Sequence, residues 1–338
     1  MKIKIIICCI LLYIVYNYEK NKLLQQSITV VPKVIPVIEP ILKGPDIEDY
    51  TLPYQSYDEI INMVKDWEKN SPLLVETGTY GSSEKGQDNF YFKISNEKKQ
   101  SQYKTMITAC IHGNEPWSTS TIMAYSGYML SQYGKDDRIT QILDSTEIYF
   151  IPVISPDTYP FRRMVNGVDP NREFPSPNNP DKKSVNPVQN IRDFFLKIKP
   201  NSILSGHTYG RVYLVPWGDS RSPNPNEKDY ATIVGNMAKL SNYKWEKASQ
   251  LYGSLIVGSD CDWYHRNGAF SIVMEFGSHQ RKPSENDTET EFERTKEAFL
   301  SFVEESVKVN IIADQLIQYY YEPCKIIRYK NYRKIKCR

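Results

Sequence analysis

Apolar residues along the chain follow two rhythms. In "SYDEIINMVKDWEKN" (56–70), Ile60, Ile61, Val64 and Trp67 recur at helical spacing. "STSTIMAYSGYMLSQY" (118–133), "VQNIRDFFLKIK" (188–199) and "DTETEFERTKEAFLSFVEESV" (287–307) also read as helices. Pro116 suits the first turn of the helix it precedes, and Pro200 closes the one before it. Between these segments, "FYFKIS" (90–95), "YKTMITACI" (103–111), "EIYFIPVIS" (147–155), "SILSGH" (202–207) and "AFSIVMEFG" (269–277) read as strands. Such alternation over residues 47–308 predicts an α/β fold: one domain with a central mixed, twisted β-sheet flanked by helices. There is no internal repeat.

The ends break this pattern. "MKIK" is basic and "IIICCILLYIVY" (5–16) is continuously apolar. As a helix that run would rise about 18 Å, short for a hydrocarbon core of about 30 Å. It resembles a signal-peptide core, so residues 1–18 are expected to export the protein, which would then be secreted. No small-residue cleavage site follows, so an uncleaved anchor, with membrane association through this segment, is the alternative. Prolines among β-branched residues in "VVPKVIPVIEPILKGP" make residues 19–46 an extended linker. Residues 309–338 form a basic, tyrosine-rich extension, in which Cys324 and Cys337 could close a small loop if the chain is exported.

Charge excludes little. The 338 residues carry a net charge of only +2, so no global field argues for nucleic acid, and a monomer is expected. No cysteines stand in a CxxC pair, which argues against a cysteine-only zinc site.

The chemistry gathers around the histidines, of which there are four: His112, His207, His265 and His279. "ACIHGNEPW" places His112 and Glu115 three apart, where a strand gives way to a helix. His207 ends another strand, in "LSGHTYG". Taken alone, a histidine and a glutamate three apart are ordinary turn residues. If both strands end at one sheet edge, however, the three side chains meet, which is the number of protein ligands a catalytic zinc site needs. Zinc would leave a fourth position for water and lower its pKa to about 7. His265 and His279 are expected to be hydrogen-bonded structural residues. In "FSIVMEFG", alternation puts Phe270, Ile272, Met274 and Phe276 on one face, and Ser271, Val273 and Glu275 on the other. A carboxylate in so apolar a strand either lies at an exposed end or is a tuned functional acid.

With these residues assembled, the chain resembles the zinc metallocarboxypeptidases of the carboxypeptidase A/B superfamily over residues 54–308. The resemblance lies in blocks standing in the family's order: "YDEIINMVKDW" with the hairpin-like "LVETGTYGSSEKGQDNFYFKIS", "HGNE", "SPDTYPF", "NGVDPNREF", "SGHTYGRVYLVPWG" and "GSDCDWYHRNGAFSIVMEFG". It implies one zinc ion held by His112, Glu115 and His207, with Glu275 as general base. It implies Arg162 as the group polarising the scissile carbonyl, with its neighbour Arg163 as the rival. Asn171 and Arg172 would clamp the substrate's terminal carboxylate, Tyr252 would cap the substrate and Tyr209 would line a subsite. The specificity position aligns with Cys261, one residue from Asp260, and a slip of one residue reverses the expected preference between apolar and basic terminal side chains. "SPDT" and "NREF" depart from the family's usual "NPDG" and "NRNF" without touching a ligand. The implied substrate is a peptide or protein C-terminus. Two other readings keep the fold: a zinc peptidase of cell-wall stem peptides, and a non-catalytic peptide-binding relative.

Overall fold

The computed structural model describes residues 13–22, 42–47, 49–279, 282–311, 325–329 and 332–336. The chain divides into two units, residues 1–41 and 42–338. In the first, residues 13–22 are helical, so the segment expected to be an extended linker begins with the end of a helix. The membrane association expected of this region is not upheld: among the described residues, no helix is long and apolar enough to cross a membrane. The remainder of the leader, and the Cys324–Cys337 pairing, lie outside the described residues.

The second unit is built on one eight-stranded mixed sheet in the order β1-β2-β4-β3-β5-β8-β6-β7. The strands are β1 (Val75–Ser82), β2 (Asp88–Ile94), β3 (Tyr103–Ala109), β4 (Thr146–Ile151), β5 (Ser202–Thr208), β6 (Val212–Val215), β7 (Lys244–Lys247) and β8 (Phe270–Phe276). At its centre, β4, β3, β5 and β8 run parallel; β1 and β2 pair antiparallel at one side, and at the other β6 is antiparallel to β8 and parallel to β7. Buried on both faces, the central strands need apolar residues at both parities. Ile107, Phe150, Leu204, Ile272 and Met274 join the larger core. Met106, Tyr149, Ile151 and Ile203 join the second, on the opposite face.

Helices cover the sheet as the periodicity predicts. Helix α1 (Tyr57–Asn70) buries Ile60, Val64 and Trp67 and opens on a capping box between Ser56 and Glu59. Helix α2 (Pro116–Gln132) begins with Pro116 and is buried along almost its whole length. Helix α3 (Asp137–Ser145) precedes β4, and α4 (Asn186–Ile198) ends at Lys199 in the left-handed region. Helix α5 (Glu227–Ser241) packs on the long final helix α8 (Glu285–Ser306). Two short helices, α6 (Ala248–Leu251) and α7 (Asp260–Arg266), lie between β7 and β8. Leu42, Ile47 and Tyr50 pack against the larger core, so the end of the expected linker belongs to the domain surface. The C-terminal extension contributes an antiparallel pair, β9 (Lys325–Tyr329) and β10 (Tyr332–Lys336).

The register positions the chemistry. In the parallel ladders Ala109 lies opposite Gly206, and His207 lies opposite Glu275. Three adjacent strands thus deliver their carboxyl ends to one edge, where open α/β sheets form their binding crevices.

Candidate metal centre and substrate cleft

Beyond β3 the chain must turn sharply to present two side chains. Cys110 does so with φ 48°, in the left-handed region, and its thiol contacts the Glu115 carbonyl oxygen at 3.1 Å. The loop after β4 holds this turn: Ser155 donates its hydroxyl to the Ile111 carbonyl at 2.7 Å. Gly113 is required here, since a Cβ would come within 2.5 Å of the Thr158 backbone. The turn leaves His112 and Glu115 facing back over the strand ends.

The His112, Glu115 and His207 donor atoms lie within 4.8 Å of one another, and all three residues are buried. Glu115 is the hub. Its Oε1 is 2.9 Å from His112 Nδ1, and its Oε2 is 3.0 Å from His207 Nδ1 and accepts the Thr208 N–H at 3.2 Å. Arg163 donates to Oε1 at 3.3 Å and to Asp169 Oδ2 at 2.9 Å. The far nitrogen of His112, Nε2, sits 2.9 Å from Asp169 Oδ1, which turns Nδ1 toward the shared point. Two imidazole nitrogens and one carboxylate aimed at a common point are a donor set suited to a single zinc ion with an open fourth position.

The electrostatics agree. Burial raises the Glu115 carboxyl, but His207 and His112 outweigh it and bring it to about 2. Burial lowers the His207 imidazole, yet Glu115 and Asp260 leave it well above the ordinary histidine value. Glu275, across the sheet from His207, is pushed up to about 7 by burial, with His207 opposing the rise. It is a buried carboxylate poised near neutrality, on the face opposite Phe270, Ile272, Met274 and Phe276, which join the core.

These groups border a cleft of about 280 Å³. Arg163, Asn171, Arg172, Tyr209, Tyr252, Asp260 and Cys261 all line it, so the structure brings together most residues named from the sequence. Arg162 is not among them: it is exposed and donates to the Asp157 carbonyl at 2.8 Å. Of the two adjacent arginines, Arg163 is the one that faces the ligands. Arg172 and Asn171 sit on a 3-10 turn whose start is capped by Asp169, which accepts the Asn171 N–H at 2.9 Å. Tyr209 and Tyr252 are about half exposed at the rim (54% and 52%).

The segment holding Asp260 and Cys261 is the start of α7, a helix the sequence reading did not assign. The helical turn sends the two side chains apart. Cys261 clusters with Val212, Leu214 and Val273 on the apolar side of the cleft. Asp260 turns toward His207 Nε2, at 3.9 Å. Asp262 accepts the backbone N–H groups of Gly218 and Asp219 at 2.8–3.0 Å. Of the remaining histidines, His265 is buried and hydrogen-bonded between Tyr230 and Asn224, as expected, and His279 lies on the Trp117 ring.

Asp169 went unassigned in the sequence, although it stands inside "NGVDPNREF". An Asp ahead of a Pro-Asn turn marks a cap, but its second bond, to His112, spans 57 residues and leaves no local trace.

Comparison with known proteins agrees with this geometry. The sequence model described as zinc carboxypeptidase matches residues 60–298. Carboxypeptidase D of Drosophila melanogaster is 25% identical over 294 residues, covering 69% of this chain and 20% of that protein. Human carboxypeptidase A1 is 25% identical over 267 residues, covering 66% of this chain and 62% of that protein. The chain therefore spans less than two thirds of either relative. Bovine thrombin-activatable fibrinolysis inhibitor, solved with a tick carboxypeptidase inhibitor, superposes with a TM-score of 0.66 at 20% identity, covering 77% of this chain and 99% of that one. That likeness establishes the fold. The chain belongs to the zinc carboxypeptidase family.

Proposed function

We propose that the protein is a zinc-dependent metallocarboxypeptidase that removes the C-terminal residue of peptides or proteins. The observation that carries this reading is the meeting of His112, Glu115 and His207 with Glu275 opposite in register. Zinc, when bound by the first three, supplies Lewis acidity that polarises the scissile carbonyl and acidifies water.

The chain's own groups do the rest. Glu275 takes a proton from the attacking water and returns it to the leaving amine, a task suited to a carboxylate raised toward neutrality. The Arg163 guanidinium, already directed at the ligand cluster, donates to the oxygen on which negative charge develops. Arg172 offers a planar fork to the substrate's terminal carboxylate, with the Asn171 amide beside it. Tyr252 closes over the bound residue. We expect Arg163→Ala to lower kcat/KM by about 10²–10³-fold. Arg162→Ala should leave it within about twofold, because that side chain only caps the Asp157 carbonyl. Steady-state kinetics on the two variants checks this contrast.

The walls favour apolar terminal side chains. Leu214, Ala248, Ile256, Cys261 and Val273 line the cleft, and the Asp262 carboxylate there is engaged by backbone donors. Cleavage of a mixed C-terminal peptide library, read by mass spectrometry with and without a chelator, tests the reading. Release of single terminal residues, apolar before basic, and abolished by the chelator, supports it. Internal cleavage, or activity indifferent to the chelator, overturns it. The stem-peptide and non-catalytic readings have no observation in their favour.

A further inference from the structure

Asp260 is a buried carboxylate for which the reading above has no task. It is 1% exposed. Its Oδ1 accepts the Cys261 N–H at 2.7 Å. Its Oδ2, also buried, accepts no hydrogen bond of ordinary length among the described residues. The nearest basic atom is His207 Nε2, at 3.9 Å.

His207 has the complementary need. A neutral imidazole carries one N–H and one lone pair. If Nδ1 gives its lone pair to a metal, Nε2 must carry the proton, and a buried N–H requires an acceptor. Among the described residues, two polar side-chain groups are placed against Nε2. The Asn171 Nδ2 atom lies 3.4 Å away. It cannot serve, because Asn171 Oδ1 is held by the Asp260 backbone N–H at 2.8 Å, which leaves an NH₂ facing Nε2, donor against donor. The remaining group is Asp260 Oδ2.

We propose that Asp260 is a positioning residue for His207: its Oδ2 accepts the Nε2–H and so fixes the tautomer and ring orientation that aim Nδ1 at the metal. This rests on the zinc-site reading given above. The first histidine shows the same arrangement with the bond already made, His112 Nε2 lying 2.9 Å from Asp169 Oδ1. Both imidazoles are thereby backed by a carboxylate from a separate loop or helix, one on each side of Glu115. A second consequence concerns substrate. An Asp260 engaged by His207 is not available to a lysine or arginine side chain in the cleft.

The test is zinc affinity of the full chain, measured by competition with a fluorescent chelator, in the absence of substrate. Partners of zinc-ligating histidines typically carry about 10–100-fold of affinity. Asp260→Asn keeps the side chain's shape, but its single oxygen cannot serve Cys261 and His207 together. It is expected to weaken zinc binding by about 10–100-fold, comparably to Asp169→Ala. Asp260→Ala should fall in the same range, and if it does not fold, the isosteric variant carries the test. In the zinc-loaded wild type, ¹H–¹⁵N NMR should show a slowly exchanging His207 Nε2–H, which disappears in Asp260→Asn while the protein stays folded. A purely structural role for Asp260 would leave that proton in place. Wild-type zinc affinity in Asp260→Asn with the protected proton retained overturns the inference and leaves the zinc site standing. Failure of the wild type to bind zinc overturns both.

Discussion

Replacing Glu275 by glutamine is expected to lower kcat by about 10²–10⁴-fold, the range associated with loss of a positioned general base. The substitution keeps shape and leaves the β8 register with β5 untouched, so the fold and the zinc ligands should survive. Zinc affinity should therefore change little while turnover collapses. The pH profile carries a second signature. Burial raises the Glu275 carboxyl to about 7, and bound zinc, a nearby positive charge, draws that value down again. Because the base must be ionised to work, wild-type activity should fall as pH drops through its pKa, and Glu275→Gln should lack that limb. Unchanged turnover in the variant would remove Glu275 from the chemistry.

Glu115→Ala has the second large expected effect, by a different route. Glu115 accepts from Arg163 and the Thr208 N–H and lies between the two histidine Nδ1 atoms. Alanine removes one of three metal ligands, and with it the anion that keeps both imidazoles and the guanidinium facing one point. Two neutral imidazoles alone are a poor zinc site. The variant should emerge from dialysis without stoichiometric zinc, and its activity should match that of chelator-treated wild type. Metal analysis beside the peptide assay separates this outcome from that of Glu275→Gln, which loses activity but keeps the metal.

Much of this site was legible in the chain because the signals were local or periodic. The three-residue step from His112 to Glu115 sits at a strand end marked by "MITACI", and the alternation in "FSIVMEFG" separated Glu275 from the core face. Both readings depend only on neighbours within a few positions. What could not be read depends on directions that no local pattern encodes. Arg162 and Arg163 are adjacent in an irregular loop, where no period says which guanidinium turns inward. The structure decides it through Asp157 on one side and Asp169 on the other. Asp260 and Cys261 diverge because α7 begins there, and a helix of so few residues leaves only a faint periodic signal. Strands β6 and β7 are likewise too short to stand out before β6 is seen to pair with β8 and α5 to pack on both. At the N-terminus, the prolines said nothing of Leu42 and Ile47 docking on the core.

Two imidazoles and one carboxylate are expected to hold a single zinc ion. A crystal of the zinc-loaded protein, measured on both sides of the zinc absorption edge, tests this directly. The expected result is one anomalous peak per chain, about 2.0–2.2 Å from His112 Nδ1, His207 Nδ1 and a Glu115 oxygen, with Glu275 nearby but not ligating. A map with no peak among those three side chains, or with the ion held by other residues, would contradict it.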